Sequence, residues 1–269
     1  MDIFDLRRTQ LEGTTDELTS LRSVVVNIID TCNRKCPFCV KSVYEGDTNM
    51  MNVSTVTKIK NDLLSINYSG RIGINGFGEP FLHNNLLDII NILSRVNASW
   101  LEIQTNGDFL DKEYVKQLEK AGCNTISISM YDCDKSDYFN EMFVDSKIQL
   151  VLRHHYDPSV NYNLKLVNRI EMFSEENYIN LSKPCYYPFY KLFIDHTGTV
   201  LLCNNDVKKV TDMGNVNEKS IREIWLSESF TEYRRLLIDG NRNLTPCVKC
   251  NMDGEVFGSE YSHIYRKMI

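Results

Sequence analysis

The sequence predicts an α/β fold built on a parallel sheet, followed by a smaller C-terminal extension. Three observations carry this. Short segments rich in β-branched residues recur through the first two-thirds of the chain. Helical stretches with start and stop signals lie between them. After Met172 the alternation gives way to two short strands around a glycine turn. Strand–helix alternation means parallel pairing, because parallel strands need crossover connections.

The strand candidates are residues 23–29, 71–75, 100–105, 125–131, 147–153 and 164–170. The first helix, residues 53–66, follows Asn52, a residue type suited to an N-cap. Residues 84–96 and 111–121 form the next two, the second stopping before Gly122, and a further helix is placed after Asp134. Six strands with crossovers suit an open sheet or a partial barrel, and periodicity does not choose between them. In both, functional groups gather at the carboxyl ends of the strands. Residues 189–195 and 199–203 read as a hairpin turning at His196-Thr197-Gly198, where Gly198 can take positive φ. A single helix is expected over 220–239, opened by the capping-box spacing of Ser220 and Glu223 and stopped by Gly240. The expected division is 1–172 for the first unit and 173–269 for the extension.

The chain has 269 residues, 42% of them hydrophobic, and a net charge of −6. That suffices for a real core. A mildly acidic chain without a Lys/Arg block sets nucleic acid aside as a partner. No secretory h-region is visible and no apolar run is long enough to span a bilayer, so the expectation is a cytoplasmic protein with no membrane partner. In that compartment nine cysteines serve as thiols and metal ligands rather than as disulfides, and an odd number argues against a complete disulfide framework.

Seven of the nine fall into two sets. Thr31-Cys32-Asn33-Arg34-Lys35-Cys36-Pro37-Phe38-Cys39 directly follows the first strand, with spacing C-x3-C-x2-C. Three thiolates in one loop can hold three irons of a [4Fe–4S] cube and leave the fourth open to a small molecule. A structural zinc site takes four ligands, and here the local set is three. The second set is Cys185, Cys203, Cys247 and Cys250, arranged C-x12-G-x4-C and then C-x2-C. Four thiolates make a closed set that suits zinc or a fully ligated Fe–S cluster, and spacing alone favours zinc.

The C-x3-C-x-aromatic-C loop, with Phe38 before the last cysteine, resembles the signature of radical S-adenosylmethionine (SAM) enzymes. Gly76-Phe77-Gly78-Glu79-Pro80, at the end of the second strand, is similar to the family motif that receives the amino group of SAM. Gln104-Thr105-Asn106-Gly107 and Ser127-Ile128-Ser129-Met130 end the next two strands, where relatives contact the ribose and methionine parts. The resemblance therefore implies a SAM site that includes Phe38, Gly76, Gly78, Glu79, Asn106 and Ser129. Arg153 suits the SAM carboxylate. It also implies a partial (β/α)6 barrel, in agreement with the strand count. The tail from Cys185 through Cys203-Asn204-Asn205-Asp206, Gly214-Asn215-Val216 and the final C-x2-C resembles the SPASM/twitch extension. Four tail cysteines match the shorter twitch form, which implies one auxiliary [4Fe–4S] cluster and reverses the preference for zinc.

Cys123 reads as a core residue. Cys133, just past the fourth strand, is a candidate hydrogen-atom donor, with an incidental loop thiol as the plainer reading. The resemblance implies two [4Fe–4S] clusters, SAM, and a flavodoxin- or ferredoxin-type electron donor. A closed auxiliary cluster suits electron transfer, so the leading expectation is oxidation of an alcohol carbon in a small polyol, sugar or aminocyclitol. Arg169 is a candidate substrate contact. The alternatives are modification of a short peptide, by cross-linking or epimerisation, and a non-enzymatic zinc-binding interaction module.

Overall fold

A computed structural model of the chain describes residues 14–36, 39–42, 44–155, 182–250 and 258–269. The strands are β1 (Ser23–Val26), β2 (Arg71–Ile74), β3 (Trp100–Thr105), β4 (Thr125–Met130), β5 (Gln149–His154), β6 (Lys191–Ile194) and β7 (Val200–Leu201). They form one sheet in the order β5-β4-β3-β2-β1-β6-β7. All pairs are parallel except the β6–β7 hairpin. The sheet is open among the described residues. The first five expected strands are present, and residues 164–170 lie outside the described residues. The hairpin continues the same sheet, with β6 pairing in parallel beside β1.

The helices are α1 (Val53–Ser65), α2 (Leu86–Leu93), α3 (Lys112–Ala121), α4 (Ser136–Phe143), the short α5 (Tyr187–Tyr190), α6 (Ile221–Trp225), α7 (Glu228–Ile238) and α8 (Ser262–Tyr265). Helices α1 and α2 bury a stripe at helical spacing: Val56, Ile59 and Leu63, then Leu86, Ile89, Ile90 and Leu93. Each such side chain contributes roughly 1.5–3 kcal/mol when withdrawn from water. They pack on one face of the sheet against Val24, Val26, Ile72, Ile74, Leu101, Ile103, Ile126 and Ile128. The alternate residues occupy the other face and include the polar Ser23, Arg71, Glu102, Ser127 and Ser129 beside the apolar Val25 and Trp100. Arg71 and Glu102 form a buried ion pair there at 2.6 Å.

Two expectations are corrected. Residues 220–239 form two helices, α6 and α7. The capping box of Ser220 and Glu223 opens α6, but Ser227 accepts from Phe230 N and starts a new helix, turning Trp225 into the core. Asn52 precedes α1 without a side-chain cap bond. Gly122 ends α3 in the left-handed region, and Gly198 turns the hairpin at φ 87°. No helix among the described residues is long and apolar enough to cross a membrane.

Candidate active site

The first cysteine loop leaves the carboxyl end of β1. Its base is closed by the Ile29–Met50 bridge and by Met51 N–H donating to Ile28 O. Inside it, Cys39 N–H donates to Cys36 O at 2.9 Å and Arg34 N–H to Cys32 Sγ at 3.4 Å. The three thiols are gathered closely enough to affect one another. Burial pushes Cys32 and Cys36 up, and a neighbouring Cys39 thiolate pushes both further in the same direction. Three mutually repelling thiolates are a donor set that a cluster cation neutralises, so the loop fits a three-cysteine Fe–S site. Phe38 lies outside the described residues, as does Arg169.

The Gly76–Pro80 segment packs directly on this loop. Glu79 N–H donates to Thr31 O at 2.9 Å. A Cβ on Gly78 would collide with the carbonyl oxygens of Ile29 and Thr31, and one on Gly76 with the Asn27 side chain. Gly78 is therefore demanded by backbone contact with the cysteine loop, and Gly76 by the Asn27 side chain. The buried Glu79 carboxylate accepts from Thr105 Oγ1 at 2.7 Å, Asn106 N at 2.9 Å and Phe81 N at 3.2 Å. It braces the end of β3. Gly78→Ala is expected to cost about 1–3 kcal/mol, the usual range for a side chain forced into filled space. It should also lower iron uptake, measured by chemical denaturation and iron per chain. Unchanged values for both would mean that the loop yields freely.

A second brace was not legible beforehand. Arg34 donates to both Asp108 oxygens, at 2.6 and 2.5 Å, and to Asp132 at 2.8 Å. Asn33 donates to Asp108, and Asn106 Nδ2 to Asn33 Oδ1, both at 2.8 Å. The Asn106 side chain, a sequence candidate for SAM, is thus engaged in tying the β3 loop to the cysteine loop. Such pairings span more than seventy residues, and no local pattern announces them. Ser129 and Arg153 stand opposite each other on β4 and β5, with Arg153 Nη1 3.4 Å from Ser129 Oγ. Arg153 Nε is buried with no partner among the described residues. His155 stacks on Tyr131 beside them, and burial with the Arg153 charge pulls its pKa down to about 4. Arg34, Asp108, Tyr131 and exposed Cys133 line a cavity of about 350 Å³ at these strand ends. Cys123 is buried, which pushes its thiol up to about 12 and leaves it inert.

The second cysteine set comes together from three places. Cys185 precedes α5 and donates its N–H to Leu237 O at 3.0 Å. Cys203 follows β7, and its sulfur accepts from Asn205 N at 3.3 Å. Cys247 and Cys250 share one turn, closed by Cys250 N–H to Cys247 O at 3.0 Å. Burial drives the Cys203 thiol well above its ordinary value, and thiolates at Cys247, Cys250 and Cys185 add to it. Four convergent thiols on half-buried cysteines fit a closed metal or cluster site.

Between the two sets lies a buried charged network. Lys209 Nζ donates to Asp30 at 2.6 Å and sits 3.1 Å from Asp195. Asn27 Nδ2 donates to both carboxylates at 2.9 Å. His196 Nδ1 lies 3.1 Å from Asp195, and its Nε2 3.0 Å from the Asp47 carboxylate. Asp30, Asp195 and His196 have the residue types of a cation site. The Lys209 ammonium already pairs with both carboxylates.

Burial alone would lower the His196 pKa, yet the hydrogen bond and charge of Asp195, with Asp30, hold it above its ordinary value despite Lys209. Burial would raise Asp195, and His196, Lys209 and Asn27 hold it well below. The raised His196 pKa contributes stability below about pH 6.5, and this is lost as pH rises through the folded-state value. The depressed Asp195 pKa contributes above about pH 3.9, and this is lost on acidification through the folded-state value. The Tm difference between the wild type and His196→Gln is therefore expected to shrink as pH rises from about 6 to 9. A difference independent of pH over that window would mean that His196 is neutral in the fold.

Comparison with known proteins bears on both halves. The radical SAM superfamily profile matches residues 26–160, and an iron–sulfur cluster-binding domain, SPASM, matches residues 185–251. The chain is 26% identical over 255 residues to the SAM-dependent 2-deoxy-scyllo-inosamine dehydrogenase of Niallia circulans, covering 93% of this chain and 99% of that protein. It is 27% identical to the GTP 3′,8-cyclase of Clostridium acetobutylicum, covering 76% of this chain and 63% of that one. The crystal structure of BtrN with AdoMet and 2-DOIA superposes with a TM-score of 0.74 at 26% identity, over 88% of this chain and 98% of that one. The structure of anSMEcpe with AdoMet and a peptide superposes at 0.59 with 15% identity, covering 85% and 86%, a likeness of fold alone. A radical SAM profile over the α/β unit removes the ground for a non-enzymatic zinc module.

Proposed function

This chain belongs to the radical SAM superfamily, and from that premise we propose that it oxidises a carbinol carbon of a small polyol, sugar or aminocyclitol to a ketone. The observation that carries this reading is the correspondence with 2-deoxy-scyllo-inosamine dehydrogenase along nearly the whole of both chains. Identity confined to the radical SAM half would leave the reaction open. Here it extends through the four-cysteine tail.

The family implies a [4Fe–4S] cluster and SAM, and the SPASM match implies a further Fe–S cluster. When bound, these groups supply a 5′-deoxyadenosyl radical that takes the hydrogen atom, and an acceptor for the second electron. In this reading Cys32, Cys36 and Cys39 hold the first cluster, and Cys185, Cys203, Cys247 and Cys250 hold the second. Residues 1–172 carry the radical chemistry and 173–269 the auxiliary site. Arg153 holds the SAM carboxylate with its unpartnered Nε, steadied by Ser129. Glu79 acts as a brace, and main-chain oxygens of the Gly76–Pro80 loop receive the SAM ammonium. Arg34 and Asp108 hold the cysteine loop against the cavity, so that a substrate there stays fixed relative to the loop. Cys133 lines that cavity but has no step in an oxidation, since the substrate keeps no returned hydrogen. A flavodoxin- or ferredoxin-type protein would supply the reducing electron.

The test is turnover by anaerobically reconstituted protein with SAM, dithionite and 2-deoxy-scyllo-inosamine. The expected result is ketone formed in step with 5′-deoxyadenosine and methionine. SAM cleavage without ketone from this or any other aminocyclitol or sugar alcohol offered would end the polyol reading.

A further inference from the structure

The segment after Cys203 is built around one buried carboxylate. Asp206 accepts from Val210 N at 3.0 Å, Thr211 N at 2.9 Å and Thr211 Oγ1 at 2.5 Å, and its main-chain oxygen accepts from Lys209 N at 3.1 Å. The turn this makes leaves Lys209 at φ 53°, a left-handed conformation that is unfavourable for a residue with a Cβ. The cost is borne where the backbone aims an ammonium at two buried carboxylates. One of them, Asp30, lies two positions before Cys32, and Lys209 lies six positions after Cys203. The two cysteine sets are thus joined by a short covalent path with a single ion pair in its middle.

The junction is balanced in charge. Asp30 and Asp195 are almost fully withdrawn from solvent, and the two cations facing both are Lys209 and His196. A third, Lys41, also lies near Asp30, but its Nζ is engaged by Glu45 O at 2.6 Å. Without Lys209, two buried carboxylates that share Asn27 are left with one imidazolium between them. A pair broken in this way repels, and Asp30 leads into the loop that must hold three thiolates in register.

We propose that Lys209 is a positioning residue that couples the two cysteine sites. Filling the four-cysteine site fixes Cys203 and the 203–211 turn, and the turn, through Lys209 and Asp30, fixes the loop carrying Cys32, Cys36 and Cys39. The coupling rests on the reading of Cys185, Cys203, Cys247 and Cys250 as a cluster site, and it is reciprocal.

The test uses the full chain with Cys32, Cys36 and Cys39 all changed to Ala, so that only the four-cysteine site can load. Amide hydrogen exchange over residues 28–36 is compared before and after reconstitution with iron and sulfide, and iron is counted in the same samples. With Lys209 present, loading is expected to slow exchange in that segment at least about tenfold, the size of a modest coupling. In Lys209→Met the slowing is expected to fall below twofold, and in Lys209→Arg, which keeps the charge, most of it should return. Should Lys209→Met fail to take up iron, Asp30→Asn breaks the same pair from the other side and is expected to lose the slowing as well. Equal slowing with and without the pair would overturn the proposal, as would iron uptake with no slowing in either. No iron uptake with Lys209 in place would instead remove the cluster reading, and the coupling with it.

Discussion

Alanine at Cys32 is expected to abolish 5′-deoxyadenosine formation, by roughly a thousandfold or more, and to halve bound iron from about eight to about four per chain. The reasoning starts from the loop. Its three thiols repel one another when ionised, and the nearby Glu79 and Asp132 carboxylates add to that repulsion. Two thiolates cannot hold a cube that three hold through three irons. The fold should survive, because Cys32 Sγ makes only an accepted bond from Arg34 N–H at 3.4 Å, worth about 1 kcal/mol, and a long contact to Asn33 Oδ1 at 3.9 Å. The loop keeps its ties to Asp108, Asp132 and Glu79. Iron counted beside far-UV circular dichroism separates the outcomes. A folded variant that keeps about eight irons would place the open cluster elsewhere.

The sheet was largely legible because its strands obey a simple rule. In Thr125-Ile126-Ser127-Ile128-Ser129-Met130 the isoleucines enter the helix-side core and the serines face the other way, so a period of two is visible in one dimension. The helix stop at Gly122 and the turn at Gly198 were equally plain, since each needs a backbone conformation that favours glycine. What stayed hidden was pairing. Nothing in Lys191–Ile194 marks it for the edge of β1, because strand order is settled by contacts between segments far apart. The break at Ser227 was missed for a related reason. A serine inside a helical stretch reads as a tolerated residue until its hydroxyl is seen capping Phe230 N.

The site divides in the same way. Cysteine spacing is local in the first loop and at Cys247 and Cys250, so those could be read directly, whereas Cys185 and Cys203 join the second set through the resemblance. Within each set the thiols act on one another. The residues that hold those loops in place could not be read. Arg34 reads as a loop charge between two cysteines, and its partners Asp108 and Asp132 lie 74 and 98 residues away. Lys209 and Asp30 are 179 apart. Glu79 shows a subtler case. Its motif points toward the cofactor, and its carboxylate also accepts from Thr105, Asn106 and Phe81, which no motif announces. A motif names where a loop matters, and only coordinates show which of its atoms remain available.

Alanine at Cys203 is expected to give the opposite dissociation from Cys32. Bound iron should again fall to about four, but 5′-deoxyadenosine should persist within about tenfold of wild type while ketone falls about a hundredfold. The Cys32 loop keeps all three thiols in this variant, so SAM cleavage has its site. The modest loss there reflects the Lys209–Asp30 junction, which slackens when the 203–211 turn is no longer held at Cys203. Ketone formation requires more than hydrogen removal. The substrate gives up a hydrogen atom, a proton and one further electron, and without an acceptor the last of these has nowhere in the protein to go. The carbinol radical should then be reduced back to the alcohol, taking an electron from the dithionite in the assay and a deuteron from D₂O, so that substrate is recovered with deuterium at the carbinol carbon. The ratio of ketone to 5′-deoxyadenosine is the deciding number, because general destabilisation lowers both together and leaves it constant. A ratio near that of the wild type would show that the four-cysteine site takes no part in the oxidation and serves the fold alone.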